Sequence, residues 1–569
     1  MSAESAAGRY DGTGVVRGLA YGPVRRVNRP EVEIDTSESR STDDATVEAA
    51  FGELATASAA VAARLEERAS AASGVSSEVL KANAVLARDR GWLKEARKRI
   101  AAGVAPDGAA RLATSKFVAM FERLGGRQAE RIADLEDVCA RIIAELQGLP
   151  EPGVPEFAEP GVLMADDLAP ADTAALDPSK VLAIVTEFGG PTSHTAIIAR
   201  QLGIPCIVAV RGSGAIADGA DVFVDGALGS VEIGVDPETA RAAYERDLEL
   251  RAAAARWTGP ARTADGMSVS LLANVQDGAA AAKAAEGPAE GVGLFRTELA
   301  FLDRAQEPTV DEQAAMYVEV FRAFPDSKVV IRTLDAGSDK PLGFAGLAEE
   351  ENPALGVRGI RIDGLDRGLV DRQLDAIAQA GREAGGAHET PQVMAPMVAT
   401  VEEARDFGAR CRERGISPGI MVEVPSVAIA VDLFLPHVDF LSIGTNDLTQ
   451  YVMAADRMSP DLAGLTDPWQ PAVLRLVGEV ARAGRAHAGQ GDGDGVPVGV
   501  CGEAAADPYL ACVLIGLGVT SLSAAAAALP YVGAQLAEVD LSLCRQAAQE
   551  AVTSNTAADA KRQVIDLLG

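Results

Sequence analysis

Histidine is scarce in this sequence, with four among 569 residues. They lie far apart, at His194, His388, His437 and His487, which excludes a metal centre built from neighbouring imidazoles. Cysteine is also sparse. Cys139, Cys206, Cys411, Cys501, Cys512 and Cys544 are scattered, with no C-x-x-C pair. That argues against a disulfide framework and a zinc ribbon, and fits a reducing cytosol. Positive charge is in deficit: 52 Lys and Arg against 82 Asp and Glu leave a net charge of −30. Such a surface repels nucleic acid and anionic membranes and would attract a basic protein partner. An anionic substrate would need a locally basic pocket. The opening residues, MSAESAAGRYDG, lack the charged-then-apolar pattern of a signal peptide, so a cytoplasmic location is expected. Membrane insertion is not expected either. The long uncharged stretch from Pro508 to Gln535 contains Gly516, Gly518 and Pro530, with Thr520, Ser521 and Ser523 in its middle. A span needs about 20 mostly apolar residues, so this stretch reads as helix, strand and helix in a core.

What is present is ample apolar content, 48% of the chain, enough for several cores. A soft prior of roughly 100–200 residues per domain gives three or four domains, or fewer if one is a large barrel. Residues 13–28, TGVVRGLAYGPVRRVN, read as short strands around a Gly-Pro turn. From about Asp43 to Gly148 the spacing turns helical, with breaks at Gly74, Gly103–Gly108 and Gly125–Gly126, giving about four helices. Strand character returns with GVLMA, VLAIVT, CIVAV, DVFVDG and SVEIG. A bundle at 35–148 therefore interrupts an α/β module at 1–34 and 149–235. Residues 236–258 read as a charged linker helix. Beyond it, VSLLANV, GVGLF, KVVIRTL, QVMAPMV, GIMVEV, FLSIG and VPVGVCG alternate with helices, and either LGVRGIR or SLSA supplies an eighth strand. Such alternation over 259–569 predicts a parallel (β/α)8 barrel. The run AGQGDGDG at 488–495 lacks the ligand spacing of a calcium loop and reads as a solvated connection.

Barrel enzymes place their reactive groups where strands end. Those positions here hold Arg296, Arg332, Glu423, Asn446, Asp447 and Cys501, with Arg457 in a nearby loop. Glu423 and Asp447 offer hard oxygen ligands for Mg²⁺. Arg296, Arg332 and Arg457 offer forked donors to phosphate or carboxylate. A thiol with an unperturbed pKa near 8.5 stays protonated at neutral pH and is able to donate a proton. The substrate suggested is small, doubly anionic, metal-chelating and protonated on one atom during reaction. Glu298 and Asp335 stand ready as partners of the two strand-end arginines.

The stretch GGPTSHTAIIAR, residues 189–200, places His194 after a strand, a glycine pair and two hydroxyl residues. Thr192 or Ser193 would cap the helix that starts near His194. Unpaired N–H groups and the positive dipole end there disfavour an imidazolium and favour an anionic phosphoryl group on the ring. That suits a nucleophile. The other three histidines have no such setting and read as surface or structural residues, and Cys206 reads as a core residue.

GGPTSHTAIIARQLGIPCIV resembles the phosphohistidine segment of phosphoenolpyruvate-utilising enzymes, and GLFRTE, RTLDAGSDK, NPALGVRGIR, SIGTNDLTQYVMAADR and VCGEAAADP resemble their barrel signatures. Over essentially its whole length the chain resembles the Enzyme I family of the bacterial phosphoenolpyruvate-dependent sugar phosphotransferase system. The resemblance implies a swivelling phosphohistidine domain with an inserted helical bundle, followed by a phosphoenolpyruvate-binding barrel that mediates homodimerisation. It implies phosphoryl transfer from phosphoenolpyruvate to His194, through Nε2, and then to a histidine of the phosphocarrier protein HPr docked on the bundle. Arg296, Arg332, Asn446, Asp447 and Arg457 would contact substrate, Glu423 and Asp447 would hold Mg²⁺, and Cys501 would protonate the enolate to pyruvate. The chain departs from the family pattern at Pro191, in the RTLDAGSDK segment, and at Lys81, Asn83 and Arg88 of the bundle. A phosphoenolpyruvate synthase or pyruvate-phosphate dikinase would need its own nucleotide-binding domain, and no glycine-rich phosphate loop precedes His194. A signalling relative without turnover would be expected to lose a catalytic residue, and none is missing.

Overall fold

The computed structural model describes residues 8–568 apart from 28–33, 72–73, 125–131, 156, 169–175, 191–192, 302–303, 305, 338–343, 345–349, 365–366, 458, 460–461, 463 and 488–494. Most of the 488–495 connection and Pro191 thus lie outside the described residues. The chain forms two compact units, Met1–Leu248 and Glu249–Gly569.

The first unit holds a mixed sheet of eight strands. These are β1 (Gly8–Asp11), β2 (Thr13–Val16), β3 (Leu19–Arg26), β4 (Gly161–Ala165), β5 (Val181–Thr186), β6 (Cys206–Val208), β7 (Asp221–Asp225) and β8 (Ser230–Ile233), in the order β1-β8-β7-β3-β4-β5-β6-β2. Successive side chains alternate between its faces. Val162, Met164, Ala183 and Val185 enter one apolar cluster, and Leu163, Ala165 and Ile184 enter another. The expected Gly22-Pro23 turn is not formed. Strand β3 runs straight through it, pairing antiparallel with β7 over Leu19–Pro23 and parallel with β4 over Val24–Arg26. Proline, which has no N–H, sits where the ladder changes partner. The turn lies earlier, at Gly18 (φ 132°).

Among the described residues between β3 and β4 stand five helices, not about four: α1 (Asp44–Ala71), α2 (Gly74–Ala87), α3 (Arg90–Ala101), α4 (Pro106–Leu124) and α5 (Ile132–Gln147). The additional break comes at Asp89, whose carboxylate accepts the Trp92 N–H at 2.7 Å and caps α3. Leu54, Val61, Leu65, Leu80, Trp92 and Ile142 are among the buried core of the bundle. Arg141, fully buried, is neutralised by Asp137 at 2.8 Å and Glu151 at 2.6 Å.

The second unit is a closed barrel of parallel strands: β9 (Ser270–Val275), β10 (Gly291–Arg296), β11 (Lys328–Arg332), β12 (Gln392–Ala395), β13 (Ser417–Val422), β14 (Phe440–Gly444), β15 (Val498–Cys501) and β16 (Ser521–Ala524), with β16 closing onto β9. SLSA is therefore the eighth strand. LGVRGIR instead forms short 3-10 turns, Pro353–Leu355 and Gly359–Gly364. Gly359 has φ +60°, and a Cβ there would lie 2.9 Å from that of Met397, which no regular strand residue tolerates. The uncharged stretch near the C-terminus folds as expected, with helices Pro508–Leu517 and Leu529–Ala537 flanking β16. Among the described residues no helix is long and apolar enough to cross a membrane.

Candidate active site

Inside the barrel, Leu294, Val330, Met394, Met421, Phe440 and Cys501 form an apolar layer. Side chains two residues apart on a strand share a face. Arg332 therefore stands above Val330, and Glu423 above Met421, at the C-terminal rim. A cavity of about 380 Å³ opens there. Arg296, Arg332, Glu423, Asn446, Asp447, Arg457 and Cys501, the seven barrel positions singled out from sequence, all line it, as do Glu298 and Asp335.

The charges interlock. Arg332 is 7% exposed, pairs with Glu298, and reaches Asp335 at 3.3 Å. Burial alone would lower its guanidinium pKa, but Glu298, Asp335 and Glu423 outweigh that and hold it above the usual arginine value. Arg358 was not assigned from sequence. It is 5% exposed, grips Asp335 with Nε at 3.2 Å and Nη2 at 2.8 Å, and reaches Asp447 with Nη1 at 3.2 Å. Its only sequence signal was its place in NPALGVRGIR. Asp447, in the first turn of helix Thr445–Met453, also faces Arg457 at 3.7 Å. Arg296 is exposed and makes no side-chain hydrogen bond or ion pair among the described residues. Asn446 Nδ2 donates to Glu503 at 3.4 Å, and the Glu503 N–H donates back to Asn446 Oδ1 at 3.2 Å.

Glu423 is fully buried, and its pKa is pushed up to about 8 by burial and by Asp335 and Asp447, with Arg332 opposing. The Met397 N–H donates to its Oε1 at 2.6 Å. Among the described residues its Oε2 has no hydrogen-bond partner, nor do Arg332 Nε and Glu298 Oε2. Gly444 keeps the space beside that oxygen open, because a Cβ there would stand 2.7 Å from Glu423 Oε2. Unsatisfied buried groups are costly, so three beside one cavity mark a place for a ligand. The Cys501 thiol is buried and its pKa is raised, first by burial, with Ser442 and Arg332 acting against the shift. Ser442 Oγ lies 3.3 Å from Cys501 Sγ, and the Ile443 carbonyl lies 3.6 Å from it. Burial thus keeps this thiol protonated.

A buried amide props the rim from behind. Gln373 accepts from the Leu334 N–H at 2.9 Å and donates to Thr297 Oγ1 and to Tyr317 Oη, each at 3.1 Å. Thr297 in turn donates to the Arg332 carbonyl at 3.0 Å. This network ties the ends of β10 and β11 together.

In the first unit, His194 is the first residue of a helix, α6 (His194–Leu202). Of the two capping candidates, Ser193 is the cap: its Oγ accepts the Ala196 N–H at 3.3 Å. Thr192 lies outside the described residues. Gly189, at φ +94°, turns the chain out of β5. His388 is a structural residue, stacked on Phe321 at 4.4 Å with its Nε2 2.8 Å from the Phe324 carbonyl. Cys206 is fully buried in the sheet core.

Family profiles match along most of the chain. They are described as "PEP-utilising enzyme, N-terminal" over residues 11–131, "PEP-utilising enzyme, mobile domain" over 157–229, and "PEP-utilising enzyme, PEP-binding domain" over 251–541. A phosphoenolpyruvate-protein phosphotransferase of Streptomyces coelicolor is 47% identical over 556 residues, covering 97% of each chain. Proteins of the same name from Haloferax volcanii and Bacillus subtilis are 41% identical over 81% of each chain and 35% identical over 90% of this chain and 92% of theirs. Strand-end arginines, paired carboxylates and a protonated thiol thus stand in a barrel whose sequence carries these matches, and the chain belongs to the phosphoenolpyruvate-protein phosphotransferase family of phosphoenolpyruvate-utilising enzymes.

Proposed function

We propose that this chain takes the phosphoryl group of phosphoenolpyruvate onto Nε2 of His194 and passes it to a histidine of the phosphocarrier protein HPr, releasing pyruvate. The observation that carries this reading is the convergence of cations, carboxylates and a neutral thiol on one cavity at the barrel rim. Arg296, Arg332 and Arg457 bind and orient the phosphate and carboxylate oxygens, Asn446 donates beside them, and Asp447 completes the substrate contacts. The His194 lone pair forms the new N–P bond as the P–O bond to the enolate breaks. Cys501 gives the proton of its Sγ to the enolate methylene carbon, producing pyruvate. Phosphoryl transfer depends mainly on positioning and charge stabilisation, and this constellation supplies both.

Glu423 and Asp447 would hold Mg²⁺, which compensates phosphate charge when bound. Among the described residues no three His, Cys, Asp or Glu side chains form a cage, but Mg²⁺ commonly takes one or two carboxylates and completes its shell with water and substrate. The free Glu423 Oε2 and the open space at Gly444 fit that role. The bundle at 35–148 would dock HPr, and the barrel at 259–569 would carry a homodimer contact. The module at 1–34 and 149–235 would swivel about the 236–258 segment, since direct transfer needs reacting atoms roughly 3–3.5 Å apart at each of two stations. Cytoplasmic location follows from this role.

Incubation with phosphoenolpyruvate labelled in its phosphoryl group, against γ-labelled ATP, tests the reading. Label should enter from phosphoenolpyruvate alone and be acid-labile, as a phosphohistidine is. His194→Ala should abolish it while the barrel still binds substrate. Label persisting on that variant would remove His194 from the mechanism.

A further inference from the structure

A thiol that gives up its proton has to recover one before the next turnover. Once Cys501 has protonated the enolate carbon, a thiolate stands in a buried site, where burial disfavours the charged form. A product resting on Cys501 covers its rim side. The barrel core beneath it is not wholly apolar. On β14, Ser442 follows Phe440 by two residues and shares its inward face. Ser442 Oγ donates to Cys501 Sγ at 3.3 Å, and among the described residues no group donates to Ser442 Oγ.

Ser442 also lines a second cavity, of about 20 Å³, which Cys501 does not line. This cavity lies toward the N-terminal end of the barrel, away from the rim. Lys328, Phe440 and Ser521, the first residues of β11, β14 and β16, all line it. A water needs roughly 10–15 Å³ and two or more polar partners, and both conditions are met. Gly499 keeps the space open, because a Cβ there would stand 2.5 Å from Ser521 Oγ. Branched apolar side chains ordinarily fill such a barrel, so a polar void in its core is unusual. Lys328 stands at the base. It is half-buried, with its Nζ 5.4 Å from the centre of the Phe440 ring. Among the described residues it makes no ion pair or side-chain hydrogen bond. Burial lowers its ammonium pKa, which eases release of a proton.

We infer that Cys501 is reprotonated through the base of the barrel, from Lys328 by way of a water in this cavity and the hydroxyl of Ser442. The inference rests on the reading that Cys501 protonates the enolate. Each transfer moves one proton. The thiolate takes the Ser442 hydroxyl proton as Ser442 Oγ takes one from the water, so no alkoxide is left. The water takes one from the Lys328 ammonium, and the amine recovers its own from solvent. Sulfur, oxygens and nitrogen end as they began, and one solvent proton replaces the one delivered to carbon.

The test separates the first pyruvate from those that follow. The full chain is mixed with phosphoenolpyruvate, Mg²⁺ and the phosphocarrier, and rapid quenching reads the first pyruvate per site and the steady rate after it. The first uses the proton already on Cys501, and later ones need its replacement. Ser442→Ala and Lys328→Met should each lower the ratio of steady to first-turnover rate by about tenfold or more relative to the unsubstituted chain. Lys328→Arg keeps a positive charge over Phe440 but does not release its proton, so it should behave like Lys328→Met. Damage to packing alone slows both rates and leaves the ratio unchanged. A ratio unchanged in both Ser442→Ala and Lys328→Met would therefore overturn the inference. So would a normal ratio in Lys328→Arg, because charge and packing would then suffice. Normal turnover of Cys501→Ser would instead bring down the reading of Cys501, and the relay with it.

Discussion

Arg358 offers the sharpest test of how the barrel rim is held together. Its guanidinium, 5% exposed, makes three contacts: Nε and Nη2 to Asp335 at 3.2 and 2.8 Å, and Nη1 to Asp447 at 3.2 Å. Arg358→Met keeps most of the side-chain volume and removes the charge. Two buried carboxylates then lose their shared partner. Removing one member of a buried ion pair costs about 3–5 kcal/mol. Here Arg332 still stands 3.3 Å from Asp335, and Arg457 stands 3.7 Å from Asp447, so the lower end applies. We expect a loss of about 3 kcal/mol from the barrel unit, more than a hundredfold in its folding equilibrium. Urea unfolding followed by tryptophan emission reads it, with Trp257 and Trp469 reporting the barrel. A second substitution sharpens the reasoning. Asp335→Asn in the Arg358→Met background removes the stranded charge and should recover about 2 kcal/mol of the loss, as neighbours in one network couple by 0.5–3 kcal/mol. The network account is wrong if Arg358→Met costs less than about 1 kcal/mol, or if adding Asp335→Asn deepens the loss.

Cys501→Ser should slow pyruvate release strongly while leaving phosphoenolpyruvate affinity nearly intact, because the hydroxyl is a far weaker acid in the same place; normal turnover would exclude Cys501 from the proton transfer. Burial raises the Cys501 thiol, so alkylation by iodoacetamide at pH 7–8 should be much slower than for a free thiol and should accelerate only at higher pH; rapid alkylation at pH 7 would contradict a protonated, enclosed sulfur. Glu423→Gln should raise the Mg²⁺ concentration giving half-maximal self-phosphorylation by about tenfold or more, and an unchanged Mg²⁺ titration would show that this carboxylate holds no cation.

Much of this was legible in the sequence because the signals are local. Seven of the eight barrel strands were short apolar runs between helical segments, and alternation within each strand set Arg332 and Glu423 on the same face as Val330 and Met421. Ser193 was one of two local capping candidates, and the first helical residue is His194 as expected. The strand-end rule gathered six residues without any knowledge of distance, because barrel closure brings all strand ends to one rim, and Arg457 came from a nearby loop.

What local patterning misjudged was decided by neighbours far along the chain. Gly22-Pro23 carries the composition of a turn, yet it lies inside a strand because β7 pairs with one half and β4 with the other. The alternation in LGVRGIR imitates a strand, but Gly359 must take a left-handed conformation against Met397, and Arg358 is turned into the barrel mouth. Its partners lie 23 and 89 positions away. The raised carboxyl of Glu423 likewise depends on Asp335 and Asp447, which come from different strand ends. Sequence by itself determined the period of most elements, the cap before His194 to within two residues, and the residue types offered at each strand end. Only the closed barrel decided which charges are buried together, because burial and Coulomb interaction depend on separation in space, and chain order does not specify it.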